Sequence, residues 1–486
     1  MAGLVAFGGY VPRLRLSRKA VVEANSWFNA GLKAYAKGER AMCNWDEDAL
    51  TMAVEAARDC LAGEPPKDLK AVYLASTTLP FQDRQNSGVL TTALSLGQNL
   101  MTLDVTGSQR AGASGLINAL NAVKGSGGTA LFVASEHRNA KAAGTQELLY
   151  GDGAAALLLG AENTVADYLG GAQVAVDFVD HYRGQGEEFD YAWEERWIRD
   201  EGYMKIAPRA IKGALDAAGL KAEQIDVFLM PTLIRGVADG VAKRSGVKAE
   251  AVKDNLYAVM GDSGAAHPLV MLSLALQDAK PGQTIMTVGW GQGCDALIFR
   301  ATERLAALKP RQGVKGYLAR RKEETNYQKY LSFNGLVVQE RGLRSEVDKQ
   351  TALSALYRKR DMLTSMIGGK CRICGTVQFP KSNYCVNPNC GAHDSQDDQP
   401  FADMPAKVQS WTADNLTYSL DPPQHFGMVV FQEGGRLMAD ITDVDPGKVE
   451  VGMPMRMMFR IKEVDPQRGF TKYFWKAAPD HTRVQA

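Results

Sequence analysis

The chain has 486 residues, with 56 Lys and Arg against 55 Asp and Glu and a formal net charge of +1. A balance this even excludes a global field that would steer the protein to nucleic acid or to an anionic membrane. Hydrophobic residues make up 45% of the chain, enough to fill the cores of about three domains. No apolar run reaches the roughly 18 residues a membrane helix needs, and Met1 to Tyr10 opens directly into a strand-like pattern. A cytoplasmic protein with a small-molecule substrate, no nucleic acid and no membrane partner is the expectation.

The first 62 residues place a strand before Tyr10-Val11-Pro12, then helical stretches. Asp46-Glu47-Asp48 precedes apolar residues at helical spacing from Ala49 to Ala57, and reads as an acidic helix start, not a metal site. Ala71 to Ala75 is a buried-type strand that runs into the hydroxyls of Ser76-Thr77-Thr78. Leu103 to Leu116, through Gly107-Ser108-Gln109-Arg110-Ala111-Gly112-Ala113-Ser114-Gly115, reads as strand, tight turn and buried helix. Small residues there let other backbone pack close, and the free N–H groups of a helix start favour negative charge. A fold would place a nucleophile at such a turn, and a cysteine would have its thiolate stabilised. No cysteine lies between Cys60 and Cys294. Ser108 is the nearest hydroxyl before the helix, readable as a nucleophile or as a turn and capping residue.

Gly128 to Glu136 and Tyr150 to Gly160 supply two further strands, the second opening on Gly151-Asp152-Gly153. From about 166 to 305 the pattern repeats. A helix from about Met204 to Ala218 leads to the strand Ile225 to Pro231. Gly261-Asp262-Ser263-Gly264-Ala265-Ala266-His267-Pro268 then starts another helix. The half closes with Thr284 to Phe299, which contains Gly289-Trp290-Gly291-Gln292-Gly293-Cys294. Strands alternating with helices in two similar halves imply layered α/β architecture.

These motifs, in this order, resemble the thiolase superfamily, which includes thiolases, β-ketoacyl synthase III and hydroxymethylglutaryl-CoA synthase. Arg110 to Leu116 is similar to the thiolase run Arg-x-Cys-Ala/Gly-Ser-Gly-Leu, which puts the family cysteine on Gly112, or on Ala113 in the synthase alignment. Tyr150 to Gly160 looks like the ketosynthase Gly-Asp-Gly-Ala turn and strand. The strand before Thr77 is similar to the synthases' Ala-Thr-Thr-Thr strand, and Thr77 stands where hydroxymethylglutaryl-CoA synthase has its catalytic glutamate. A second family histidine would fall near Leu229. The resemblance covers roughly residues 1–305 and implies a five-layer αβαβα fold, usually a homodimer, divided as 1–165 and 166–305.

Residues 306–368 read as a helical connector, helical from Ser345 to Met366. Seven basic residues between Arg304 and Lys322 suit either the phosphates of coenzyme A or a solvated face. Cys371 and Cys374, then Cys385 and Cys390, have the spacing of a closed four-thiolate zinc site, with glycines after the second and fourth cysteines for knuckle turns. A structural Zn²⁺ in a ribbon spanning 369–398 follows. Residues 399–486 read as short strands forming a small OB-type β-barrel. From residue 399 onward ten Lys and Arg face eleven Asp and Glu, so no basic groove for a nucleic-acid backbone is expected. Zinc ribbon plus OB barrel resembles the acyl-CoA-associated module fused to, or partnered with, thiolase-fold enzymes.

The catalytic candidates are His267, Asp262 and Ser108. Ala265-Ala266-His267-Pro268-Leu269 resembles the thiolase Gly-His-Pro motif, which implies a histidine that activates the thiol of coenzyme A or orients a thioester oxygen; Asp262 is an alternative base. Gly112, Gly291 and Gly293 are candidates for a substrate and oxyanion loop, and Cys294 reads as a packing thiol or a reactive one. The expected activity is coenzyme A-dependent carbon–carbon bond cleavage or formation, of thiolase or retro-Claisen type, on a β-keto acid or β-ketoacyl thioester without an acyl-cysteine. The alternatives are a retro-aldol lyase on a β-hydroxyacyl-CoA, or a non-catalytic scaffold subunit.

Overall fold

The computed structural model describes residues 2–309, 311–340 and 350–480. They fall into two units, the first built from 1–44, 48–87 and 98–336, the second from 45–47, 88–97 and 337–486.

Apolar residues at period two, or in unbroken runs, make the strands of the first unit: β1 (Gly3–Tyr10), β2 (Leu69–Ala75), β3 (Met101–Val105), β4 (Thr129–Glu136), β5 (Gly153–Gly160), β6 (Ala166–Ala175), β7 (Val227–Leu229), β8 (Thr284–Trp290) and β9 (Gly293–Ala301). They follow one another in the order β7-β8-β9-β6-β1-β5-β4-β2-β3. Strands β1 and β6 share only two residue pairs, Gly3 with Asp167 and Leu4 with Ala166, so the order divides there into two halves. Four helices complete the layers: α1 (Ala49–Leu61), α2 (Ala111–Ser126), α3 (Met204–Ala218) and α4 (His267–Asp278). Helix α1 packs on β1, β4 and β5, and α3 packs on β6 and β9; α2 and α4 each touch strands of both halves and touch each other. Outer helix, sheet, central helices, sheet and outer helix give the five layers of a thiolase-like α/β fold. The central pair carries small or apolar residues all round because it is buried on both sides, as Ala113, Leu116, Ala119, Leu120, Leu269, Val270 and Leu272 show.

Helix α1 starts at Ala49, after the acidic run expected to form its first turn. Asp48 caps it, accepting from the Thr51 N–H at 2.8 Å while the Thr51 hydroxyl accepts from the Asp48 N–H. Asp46 and Glu47 are not in its first turn. They are buried in the second unit, where Lys476 donates to Asp46 at 2.9 Å and Arg460 pairs with Glu47 and Asp443. Charges taken this far out of water stay ionised only as a matched set, so the acidic pattern marks a buried ion-pair cluster.

In the second unit, 345–349 of the expected helix lie outside the described residues; the remainder carries two short helices, Leu353–Arg358 and Arg360–Leu363. Strands β10 (Ile367–Cys371), β11 (Val377–Gln378) and β12 (Gln396–Pro400) form a three-stranded sheet with β10 in the middle. Strands β13 (Ala406–Asp414), β14 (Gln424–Phe431), β15 (Arg436–Asp440), β16 (Pro454–Asp465) and β17 (Phe470–Pro479) follow in the order β15-β14-β13-β16-β17. A bridge between Ile441 and Ala477 joins the two ends, closing the sheet into the OB barrel.

Candidate active site

Strand β3 ends at Val105, the chain turns through Gly107 at φ 91°, and α2 begins at Ala111. Gly112 is therefore inside the helix. A Cβ there would lie 2.0 Å from the Ala265 carbonyl oxygen, so glycine allows α2 and the start of α4 to touch backbone to backbone. A cysteine has no room at that position, and Ala113, also inside the helix, is 1% exposed. The residue at the tip of the turn that lines a pocket is Gln109. Ser108 instead ties the turn to the late loop: its hydroxyl lies 2.9 Å from the Gly291 carbonyl and 3.1 Å from Gln292 Oε1, and it accepts from the Arg110 N–H.

Gln109 donates through Nε2 to the Thr77 hydroxyl at 3.1 Å. Thr77 lies in turn 3.2 Å from the carboxylate of Glu136, which also accepts the Thr77 N–H at 2.7 Å and the Thr78 hydroxyl at 2.7 Å. Burial raises the Glu136 carboxyl above the usual range despite these bonds. Gln109 Oε1 is buried with no hydrogen-bond partner among the described residues. It occupies space that a Cβ on Gly264 would fill, at 2.1 Å, and Gly264 has a left-handed φ of 51°. The two positions where the resemblance placed a synthase's chemistry, the turn and Thr77, are thus joined by one hydrogen bond with no thiol between them.

The pocket, of about 120 Å³, is lined by Gln109, Arg138, Tyr150, Asp180, His181, Tyr203, Asp262 and Trp290 among others. Asp262 accepts from the Gly264 N–H at 2.6 Å and from Arg138 at 3.3 Å. Arg138 lies 3.5 Å over the Tyr150 ring and donates to Asp190 at 3.0 Å. Burial works against its charge, but Tyr150, Asp262 and Asp190 outweigh it and hold the guanidinium protonated.

The same pocket holds a pair absent from the sequence-based candidates. Asp180 accepts three donors, the His181 N–H at 2.8 Å, the Trp290 indole at 2.8 Å and Gln292 Nε2 at 3.2 Å, and His181 Nδ1 lies 3.1 Å from it. Burial acts to raise its carboxyl, but the contacts to His181 and Trp290 prevail and hold it below the usual carboxylate range. A carboxylate oxygen 3.1 Å from Nδ1 favours the ring proton on that nitrogen, and Nε2 of His181 has no partner among the described residues. An Asp-His doublet, in a chain with six histidines, is the signal that could have found it.

His267 is placed differently. It is 1% exposed, Nδ1 accepts the Ser263 N–H at 3.0 Å, and Nε2 lies 2.7 Å from the Asn255 carbonyl. Both nitrogens are engaged, in the neutral form with the proton on Nε2, and the ring is not on the pocket lining. The late loop also differs from expectation: the Gly291 N–H donates to the Gly293 carbonyl at 3.1 Å, so it does not point at an oxyanion. A Cβ on Gly293 would lie 2.2 Å from the Val174 carbonyl, which is a packing reason for that glycine. Cys294 is fully buried, and burial raises its thiol far above the ordinary range, as for an inert packing residue. Among the basic residues after 303, Lys309 is held by Glu64, Arg311 by the Phe7 and Cys60 carbonyls, Lys315 by Asp278, Arg320 by the Tyr10 hydroxyl and Arg321 by Glu39.

In the second unit the four thiols of Cys371, Cys374, Cys385 and Cys390 lie within 4.8 Å of one another, with Cys374 and Cys385 3.5 Å apart and Cys371 and Cys390 4.0 Å apart. Tetrahedral zinc with Zn–S of about 2.3 Å requires S···S of about 3.8 Å, so the set fits the metal. Gly375 and Gly391 take φ of 74° and 55° at the knuckle turns, and with four protein ligands no position is left for a substrate.

Comparison with known proteins agrees with this division. Residues 215–300 match the C-terminal domain of 3-oxoacyl-[acyl-carrier-protein] synthase III. Residues 367–395 match the rubredoxin-like zinc ribbon of ChsH2, and 399–460 its C-terminal OB-fold domain. The hydroxymethylglutaryl-CoA synthase of Caldivirga maquilingensis is 29% identical over 346 residues, 69% of this chain and 98% of its own. That of Methanocaldococcus jannaschii is 30% identical over 349 residues, 68% of this chain and 98% of its own. Among solved structures, MvaS in complex with 3-hydroxy-3-methylglutaryl coenzyme A covers 68% of this chain and 91% of its own, at 19% identity and a TM-score of 0.56. FabH from Pseudomonas aeruginosa covers 62% and 98%, at 18% identity and 0.54. With its layered α/β unit and its ribbon and barrel both matched, the chain belongs to the hydroxymethylglutaryl-CoA synthase family and carries a ChsH2-type zinc ribbon and OB-fold at its C-terminal end.

Proposed function

We propose that the first unit makes or breaks the carbon–carbon bond beside the carbonyl of a β-hydroxyacyl-CoA by aldol-type chemistry, with His181 as the base and no acyl-enzyme. In the cleavage direction, Nε2 of His181 takes the β-hydroxyl proton. The bond between the α and β carbons breaks, the β carbon leaves as a carbonyl compound, and the electron pair becomes the thioester enolate. The enolate then takes a proton at the α carbon. Gln109, its amide anchored on Thr77, is placed to donate toward the enolate oxygen once it turns. Asp262 positions Arg138, and Ser108 positions the turn.

The observation that carries this reading is the Asp180–His181 pair, with one nitrogen open, in a pocket that contains an amide where a nucleophile would be. Two relatives support the substrate class: the name shared by the curated proteins, and the bound molecule in the MvaS structure, are 3-hydroxyacyl-CoA compounds. The thiolytic route, with free coenzyme A activated by His267, loses its motivation because both nitrogens of that ring are engaged. A scaffold role is disfavoured by a pocket whose polar groups are this fully organised.

The test incubates the purified full chain with a panel of β-hydroxyacyl-CoA thioesters and follows, by mass spectrometry, the shorter acyl-CoA and the released carbonyl compound. Turnover that vanishes in His181→Asn and leaves no adduct on the protein is expected. Turnover that needs free coenzyme A and a β-keto substrate would return the thiolytic route, and an acyl adduct on Ser108 would make that residue the nucleophile.

A further inference from the structure

Chemistry at His181 leaves the neighbouring ribbon unused. His181–Tyr182 pairs with Tyr191–Ala192 in a two-stranded ribbon, with Tyr182 opposite Tyr191. Their rings are 5.5 Å apart and tilted by 44°, and Trp193 continues the row 6.4 Å from Tyr191. Trp197, stacked on Phe178 at 4.2 Å, forms a further wall. Together they border a cleft of about 260 Å³. Tyr182, Tyr191 and Trp193 are 55%, 53% and 56% exposed. Large aromatic rings left in water together on a short ribbon do nothing for folding, and a contiguous exposed apolar patch marks a binding surface.

Three observations select the occupant. Asp180 and His181 line both this cleft and the pocket, so whatever fills the cleft is covalently within reach of the reacting atoms. The Asp180 carboxylate is turned onto its three donors, so the cleft presents aromatic faces and almost no charge. Its size exceeds the roughly 150 Å³ that holds one benzene ring, which leaves room for a second fused ring. Tilted aromatic walls favour flat rings through offset and edge-to-face contacts, and a ring loses less rotational freedom on binding than a linear chain.

We infer that the cleft binds a ring-bearing acyl tail, aromatic or fused alicyclic, of the CoA thioester. The inference rests on the proposed thioester pocket, and its test reads binding without turnover, so the two fail separately. Titration calorimetry on the full chain would compare non-hydrolysable thioether analogues carrying a naphthyl-type tail, a linear tail of equal carbon number, or an acetyl group. The ring analogue is expected to bind about tenfold more tightly than the linear one, and Trp193→Ala to remove that preference while leaving the acetyl analogue unchanged. Trp193→Phe should restore most of it, which separates a ring contact from a folding defect. Equal affinity for ring and linear tails, or a Trp193→Ala protein that keeps the preference within twofold, overturns the inference. So does a change of sedimentation from dimer to monomer in Trp193→Ala with ligand affinities unmoved, which would make the ribbon a surface between copies of the chain.

Discussion

The starts of α2 and α4 are alike in sequence and opposite in use. Each is a turn rich in small residues leading into a central buried helix, and the two meet where Gly112 lies against the Ala265 carbonyl. At α2 the side chain before the helix, Gln109, turns outward to the pocket. At α4 the first helical side chain, His267, turns inward and closes on Ser263 and Asn255. A histidine followed by proline at a helix start suits both a ligand-facing base and an internal strut. Which one it becomes is decided by whether the backbone beside it offers partners for both ring nitrogens.

Breaking the comparison begins with a control in the second unit. Chelating the metal, or Cys371→Ser, is expected to release the zinc and melt the ribbon, since structural zinc contributes about 10 kcal/mol or more to such a fold. Metal analysis should find one zinc per chain in the parent and in every variant at the two helix starts. Next, His181→Asn is expected to lower kcat by about 10²–10⁴ with little change in Tm, the loss typical of a general base. His267→Ala should do the reverse. It strands a buried N–H and a buried carbonyl, costs about 3–4 kcal/mol in urea unfolding, and leaves kcat per folded molecule within a few-fold. Equal loss of kcat in a fully folded His267→Ala protein would falsify the distinction. Gly112→Cys should cost about 3 kcal/mol by overpacking against backbone, whereas a thiol in Gln109→Cys should be tolerated and alkylated by iodoacetamide.

The smallest effect concerns what holds the start of α2. Asp295 bonds the Ser114 hydroxyl and lies 3.3 Å from Arg110. Burial raises its carboxyl to about 6 from 3.8, against the pull of Ser114 and Arg110. A raised folded value means that the stability it contributes is fully present below about pH 4 and is lost as the pH rises through 6. Relative to Asp295→Asn, the parent should therefore lose about 2 kcal/mol between those limits, read as a difference in Tm.

The parts legible in the sequence are those fixed by local chemistry. Four cysteines at ligand spacing and glycines at knuckle positions determine a ribbon whatever surrounds them. Alternation and turn residues marked the strands, and the helix expected from about Met204 to Ala218 has those bounds. What did not show is what depends on distant partners. Asp46 and Glu47 look like a helix start until Arg460 and Lys476, some 400 residues on, are folded against them. His181 depends on Trp290 and Gln292 to orient Asp180. Gly112 passes for an empty nucleophile position by alignment, and only the approach of Ala265 shows that no side chain fits.

Thiol burial in the first unit has a further consequence, in redox terms. Its three cysteines, Cys43, Cys60 and Cys294, are all buried, and burial pushes the Cys60 thiol up to about 12 and that of Cys294 higher still. Oxidation to sulfenic acid needs an exposed thiolate, and no such group stands at the pocket. Peroxide that halts a condensing enzyme built on a reactive cysteine has nothing to attack here. The thiols that answer to oxidants are those of the ribbon, where Cys374 is exposed.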